Sequence, residues 1–241
     1  MPIDMLIILV VIVIGALLQV GIGIGFSIVV GPLLFLQLGT EMAVPLLLML
    51  NVVVSAIATP GAFQRSELRV VSTSAIACVL GIGAGILIYP FLTEAMVLAI
   101  AGVLLVVGAL TTFLPKTSSS ERALLPISGL SGLATVWAAT PGPLMAVGLM
   151  LSGRSMSEVR RLVQPIALVG YSFALALHMA NDWGQITDSP NITVFLIATV
   201  VGSLVGRRIG PALPHVIISN GIRGISLFAG LILIYRAMTL G

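Results

Sequence analysis

Long apolar stretches separated by short polar breaks run the length of the chain. They cover residues 3–38, 42–63, 70–91, 95–114, 123–151, 159–180, 192–205 and 216–237. A helix that crosses the hydrocarbon core needs about 20 residues. Five of the stretches fit one crossing, and 192–205 fits if it extends into Arg207 and Arg208. Two do not fit. Stretch 3–38 is too long and is interrupted by Gly21, Gly23 and Gly25, and stretch 123–151 is interrupted at Thr140-Pro141-Gly142-Pro143. Proline inside a helix removes a hydrogen bond and clashes one turn back. All eight stretches exceed the ~10-residue alternating strands of a membrane barrel. The pattern predicts an all-α polytopic membrane protein, because only helices and closed barrels satisfy their backbone groups in lipid.

The pattern also repeats. Gly81-x-x-x-Gly85-x-x-x-x-Pro90 matches Gly202-x-x-x-Gly206-x-x-x-x-Pro211, and an apolar helix follows each, ending near Phe113 and Met238. The Gly-broken run ending at Gly39 answers the Pro-broken run ending at Gly153. The chain divides in its most polar stretch, 116–120, into repeats 1–117 and 118–241 that together form one membrane domain. Matched loops differ in charge. Glu41 stands against Arg154, Arg160 and Arg161, Arg65 and Arg69 against Asp182 and Asp188, and Glu94 against Arg207 and Arg208. The positive-inside rule puts matched loops on opposite sides. Inverted repeats need an odd number of crossings each, so each broken run is expected to be a re-entrant hairpin of two half-helices, followed by three crossings. Arg65, Arg69, Lys116, Arg122, Arg154, Arg160, Arg161, Arg207 and Arg208 then all face the cytoplasm.

Composition narrows the function. Only 8% of residues are charged, against about 25% in soluble domains, so the chain cannot cover a water-facing surface. The net charge of +3 is spread over short loops with no basic face, which excludes nucleic acid as a partner. The lone Cys78 offers neither a disulfide nor a thiolate metal site. Met1–Asp4 carries no basic residue ahead of the apolar run, so no cleavable signal peptide is expected. No His or carboxylate cluster suggests a metal, and no cofactor is expected.

Inverted repeats with broken helices are the architecture of secondary transporters, whose sites lie where half-helix ends converge. At the second tip Thr140 suits an N-cap with Pro141 at the first helical position; at the first, Gly25 or Ser27 precedes the returning half-helix with Phe26 between them. Helix starts attract anions, and Gly23, Gly25 and Gly142 allow close backbone approach. The two tips are expected to form a near-symmetric anion cradle; the alternative is that they only kink helices for packing. Asn51 and Gln164 lie mid-helix after the hairpins and carry uncharged amide donors suited to oxyanions, or serve as interhelical glue worth roughly 0.6 kcal/mol. Ser55 and Tyr171 are weaker candidates. Arg223 either snorkels to the cytoplasmic surface or funnels anions. His178 is expected at the membrane interface; a pairing with Ser172 would be needed for an intramembrane enzyme, and no nucleophile-elbow motif accompanies it. No Asp or Glu lies mid-crossing, which argues against a protein-borne proton relay.

The segments 23–32 (Gly-Ile-Gly-Phe-Ser-Ile-Val-Val-Gly-Pro), 81–90 (Gly-Ile-Gly-Ala-Gly-Ile-Leu-Ile-Tyr-Pro) and 201–214, with Gly39 and the closing helix bearing Arg223, resemble the TauE/SafE family of sulfite and organosulfonate exporters. The chain departs from that family's pattern at Phe26 and Ser27, where a glycine triplet is usual, and at Thr140-Pro141-Gly142. The resemblance implies a multi-pass protein of the bacterial inner membrane that exports a small sulfur-containing or carboxylate anion, with no enzymatic activity. An importer of a similar solute, or a membrane scaffold, is the alternative, and a homodimer is left open. Export suits an inside-negative potential, which favours outward movement of each negative charge by about 2.3 kcal/mol per 100 mV.

Overall fold

The structure is a computed structural model that describes residues 3–23, 25–61, 64–110, 121–181 and 191–240. The expected repeat junction at 117/118, the helix end near Phe113, and Lys116, Asp182 and Asp188 lie outside the described residues. The described residues form α1 (Ile3–Ile22), α2 (Phe26–Ala58), α3 (Leu68–Ile88), α4 (Glu94–Leu110), α5 (Leu124–Ala138), α6 (Gly142–Leu151), α7 (Met156–Asn181), α8 (Ile192–Ile209) and α9 (His215–Leu240), with short 3-10 turns between some of them.

Both broken runs fold as hairpins. Stretch 3–38 turns over at Gly23 and Gly25, both at positive φ, and α2 then breaks again at Gly39 (φ 73°, ψ 167°) into limbs 26–38 and 40–58. Stretch 123–151 turns over at Ala139–Pro141 and ends at Gly153 (φ 86°). Each hairpin thus hands over to the next helix through a glycine in the left-handed region, where a Cβ would be strained. The first limb is the longer one: α1 has 20 residues and is apolar enough to cross a membrane alone, because nothing breaks it before Gly23. By the same measure α2, α3, α7, α8 and α9 also qualify. Helix α4 has 17 described residues, and α5 and α6 are shorter still.

The polar and apolar residues are distributed as lipid demands. Leu80, Leu87, Phe91 and Phe228 are exposed at 70–79%, whereas Asn51, Ser128, Ser131, Thr135, Gln164 and Thr199 are buried. In water that outer surface would be an aggregation site; in a bilayer it is the solvated face. This is a multi-pass membrane protein.

Small residues decide which helices touch, as expected where hydrophobicity cannot drive helices together. The most extensive pairings are α4 with α9, α3 with α5 and α1 with α8, each joining an element before residue 111 to one after residue 120. Gly81 lies against the backbone of Gly129 on α5, and Gly85 against Val136 and Trp137. Its sequence counterparts behave in kind: Gly202 lies against Val13 and Ala16 of α1, and Gly206 against Leu17. Gly102 and Gly230 face one another where α4 crosses α9; a Cβ on Gly102 would stand 2.7 Å from the Gly230 carbonyl oxygen. The two parts of the chain therefore interlock and share one core.

Candidate functional site

Between the two hairpin tips and the starts of α7 and α9 lies an open cavity of about 100 Å³. The tips touch each other directly. Ser27 Oγ donates to the Ala139 carbonyl (2.9 Å) and accepts from Asn51 Nδ2 (2.9 Å), which also donates to the Leu47 carbonyl (2.8 Å). A continuous chain of hydrogen bonds therefore runs from the long limb of α2 through the first tip to the second.

At the first tip Gly25 is the N-cap of α2, and the first intrahelical bond is Val29 N–H to the Gly25 carbonyl. The N–H groups of Phe26, Ser27 and Ile28 therefore lack intrahelical acceptors. Gln19 on α1 takes the first of them: its Oε1 accepts the Phe26 N–H at 3.0 Å. The capping atom thus comes from the opposite limb, not from Ser27. At the second tip the N-cap is Pro141 and the helix starts at Gly142, one residue later than the sequence suggested. Thr140 makes no capping bond; its Oγ1 is buried with no partner among the described residues. The Pro141 carbonyl accepts from Ser131 Oγ (2.9 Å). Since Pro143 has no N–H, only Gly142 and Leu144 offer donors before Met145 bonds back to Pro141. The two helix starts are therefore capped differently.

Of the residues singled out in the sequence, Gly23, Gly25, Ser27, Thr140 and Gly142 line the cavity. Phe26 does not: its side chain is fully buried in the core. Asn51 and Gln164 also stand outside the lining. Asn51 supports Ser27, and Gln164 Nε2 donates to the Gly23 carbonyl (3.3 Å) while its Oε1 is buried without a partner among the described residues. Tyr171 lines the cavity. Ser55 is buried elsewhere, its carbonyl accepting from Thr59.

Sequence reasoning missed the strongest feature. Arg160 lines the cavity beside Gly23, and its Nε is buried with no partner among the described residues. Arg223 lines it from α9, with Nη1 donating to Asn220 Oδ1 (2.9 Å), and Gln19 lines it from α1. None of the described lining residues is acidic. A usable signal was present: Arg160, Val163, Ala167 and Tyr171 are spaced three, four and four apart, and Ser219, Ile222, Arg223 and Ser226 likewise share a face of α9. His178 is committed to structure. Its Nε2 shares a hydrogen bond with the Val136 carbonyl (2.9 Å) and its ring meets Tyr89 edge-on at 4.7 Å.

Two guanidiniums, helix starts and hydroxyls around one cavity can bind an anion by charge-assisted hydrogen bonds. No curated protein and no solved structure matches the chain. A family model described as Sulfite exporter TauE/SafE matches residues 7–233, and with that match over nearly its whole length the chain belongs to this family of membrane transporters.

Proposed function

We propose that the protein is a secondary carrier that exports a small anion, sulfite, a sulfonate or a related oxyanion, by alternating access across the bacterial inner membrane. The observation that carries this reading is the cavity lining: Arg160 and Arg223, both hairpin tips, and no acidic side chain among the described lining residues. Arginine suits the task because its planar fork matches oxyanion geometry and stays charged at any physiological pH. Gly23, Gly25, Ser27, Thr140 and Gly142 bind the anion directly, while Phe26, Asn51 and Gln164 hold the first tip in place from behind.

Two inverted repeats, 1–117 and 118–241, account for the pairings. Exchanging the halves turns α1 against α8 into α5 against α3, and leaves α4 against α9 unchanged. The cavity is lined by the starts of α7 and α9 and by Gly108 and Ala109 at the end of α4. The positive-inside rule puts Arg154, Arg160 and Arg161 at the cytoplasmic end.

Calorimetry on detergent-solubilised protein, with sulfite, sulfonates and carboxylates as ligands, tests the reading. Arg160→Gln and Arg223→Gln each remove a charged donor worth about 1.5–3 kcal/mol, so each should weaken binding of the preferred anion roughly ten- to a hundredfold. Unchanged affinity in both variants, with monodisperse protein, would place the anion elsewhere.

A further inference from the structure

Three arginines cluster at the start of α7, and two are already matched to carboxylates. Arg161 donates to both oxygens of Glu67, at 3.0 and 3.4 Å. Arg154 pairs with Glu158 at 3.4 Å, and that carboxylate also accepts from Ser155 Oγ (2.7 Å) and the Ser155 N–H (2.8 Å). Arg160 alone of the three has no carboxylate partner among the described residues, and it is the one that faces the cavity. Its charge therefore waits on whatever anion enters.

We propose that the carrier is an obligatory anion exchanger: it passes through its closed state with an anion bound on both strokes, returning with a small counter-anion for each anion it releases. The inference rests on the transport reading given above. A carrier must occlude its site to move it across the membrane, and occluding removes water from whatever charge the site holds. An unmatched buried ion is among the costliest arrangements in a protein, whereas a matched, hydrogen-bonded pair is tolerable. Carriers built on carboxylates, histidine or lysine can escape by changing their proton state before returning empty. Arginine cannot, because its guanidinium does not deprotonate in proteins. The empty form is thus held on one side until an anion arrives. The counter-anion needs only negative charge and a size that fits between the tips, so inorganic oxyanions and halides qualify. One consequence modifies the expectation about driving force. Exchange of equal charges is electroneutral, so membrane potential accelerates export only when the outgoing anion carries more charge than the incoming one.

The test uses the full chain in proteoliposomes loaded with sulfur-35 sulfite under anaerobic conditions, with the potential clamped by potassium and valinomycin. Efflux should be roughly tenfold or more faster into external sulfite than into bulky gluconate, since the empty return is blocked. In Arg160→Gln the ratio of the two rates should fall toward one, and in Arg160→Lys, whose amine can shed its proton before an empty return, it should fall partway. Equal efflux into sulfite and gluconate by the parent overturns the exchange, even if sulfite binds and moves. A parent ratio that survives intact in Arg160→Gln overturns the assigned cause. Absence of both calorimetric sulfite binding and flux in either buffer overturns the transport reading, and the exchange with it.

Discussion

The two hairpin tips occupy matched places in the chain and border one cavity, yet they are stabilised by different means. The first is held from outside itself. Gln19 accepts the Phe26 N–H, Gln164 donates to the Gly23 carbonyl, and Asn51 donates to Ser27. Its backbone relies on glycine, with φ 88° at Gly23 and 135° at Gly25. The second is held under strain, by Ser131 of its own limb and by Ser27 of the first tip. Ala139 has φ 52° and ψ 30°, the left-handed region that a Cβ disfavours, and its carbonyl is fixed by Ser27. Thr140 keeps an unpartnered hydroxyl beside the cavity. Matched places in the chain can therefore differ in chemistry: the first tip leaves backbone N–H groups at a glycine turn, the second a buried hydroxyl on a left-handed turn.

The largest expected effect comes from filling the tips. At Gly25, φ 135° excludes a branched residue and a Cβ would already stand 3.4 Å from Ile222, so Gly25→Val should cost about 1–3 kcal/mol in backbone strain and abolish flux. Gly142 is different, because a Cβ there meets nothing within 4 Å. Gly142→Val should fold with a melting temperature near the parent's, yet lose roughly tenfold or more in sulfite affinity, about 1.4 kcal/mol or more, because the side chain stands in the cavity. Parent-like affinity in that variant would mean the second tip never touches the ligand.

Loss of the supports should come next. Asn51→Leu breaks the hydrogen-bonded link between the tips and should lower thermal stability by about 1–2 kcal/mol. Gln19→Ala leaves the Phe26 N–H uncapped and should cost about 1 kcal/mol, with a matching loss of affinity; a thermal melt of each variant with and without sulfite separates the two effects. The smallest changes distinguish the tips most sharply. Thr140→Ala removes a hydroxyl that has no protein partner, so stability should hold while affinity falls about fivefold, near 1 kcal/mol. Ala139→Gly relieves the left-handed strain and should raise stability by up to about 1 kcal/mol, with affinity unchanged. A destabilising Ala139→Gly would show that the turn is held by packing and not strained.

Much of the architecture was legible because breakers and run lengths are local properties. Gly23, Gly25, Gly39 and Gly153 marked the turns directly, since few other residues populate those dihedrals. The matched glycine motifs were legible, though not their partners: that Gly81 meets Gly129 while Gly202 meets Val13 depends on the packing of distant helices. Cap assignments slipped where the capping atom came from afar. Nothing local to Phe26 announces that Gln19, seven residues earlier on the opposite limb, will accept its N–H.

The sequence alone determined that this is a helical membrane protein and where its helices break. Those properties follow from hydrophobic length and from proline and glycine chemistry, which act over a few residues. Only the tertiary structure decided which polar groups share the cavity. In a soluble protein, polar and apolar periodicity reveals the inward face of a helix; here lipid and core are both apolar, and that contrast is erased over most of each span. Arg160 and Arg161 are neighbours in the chain and about 100° apart around the helix. That rotation gives Arg161 to Glu67 and turns Arg160 toward the cavity.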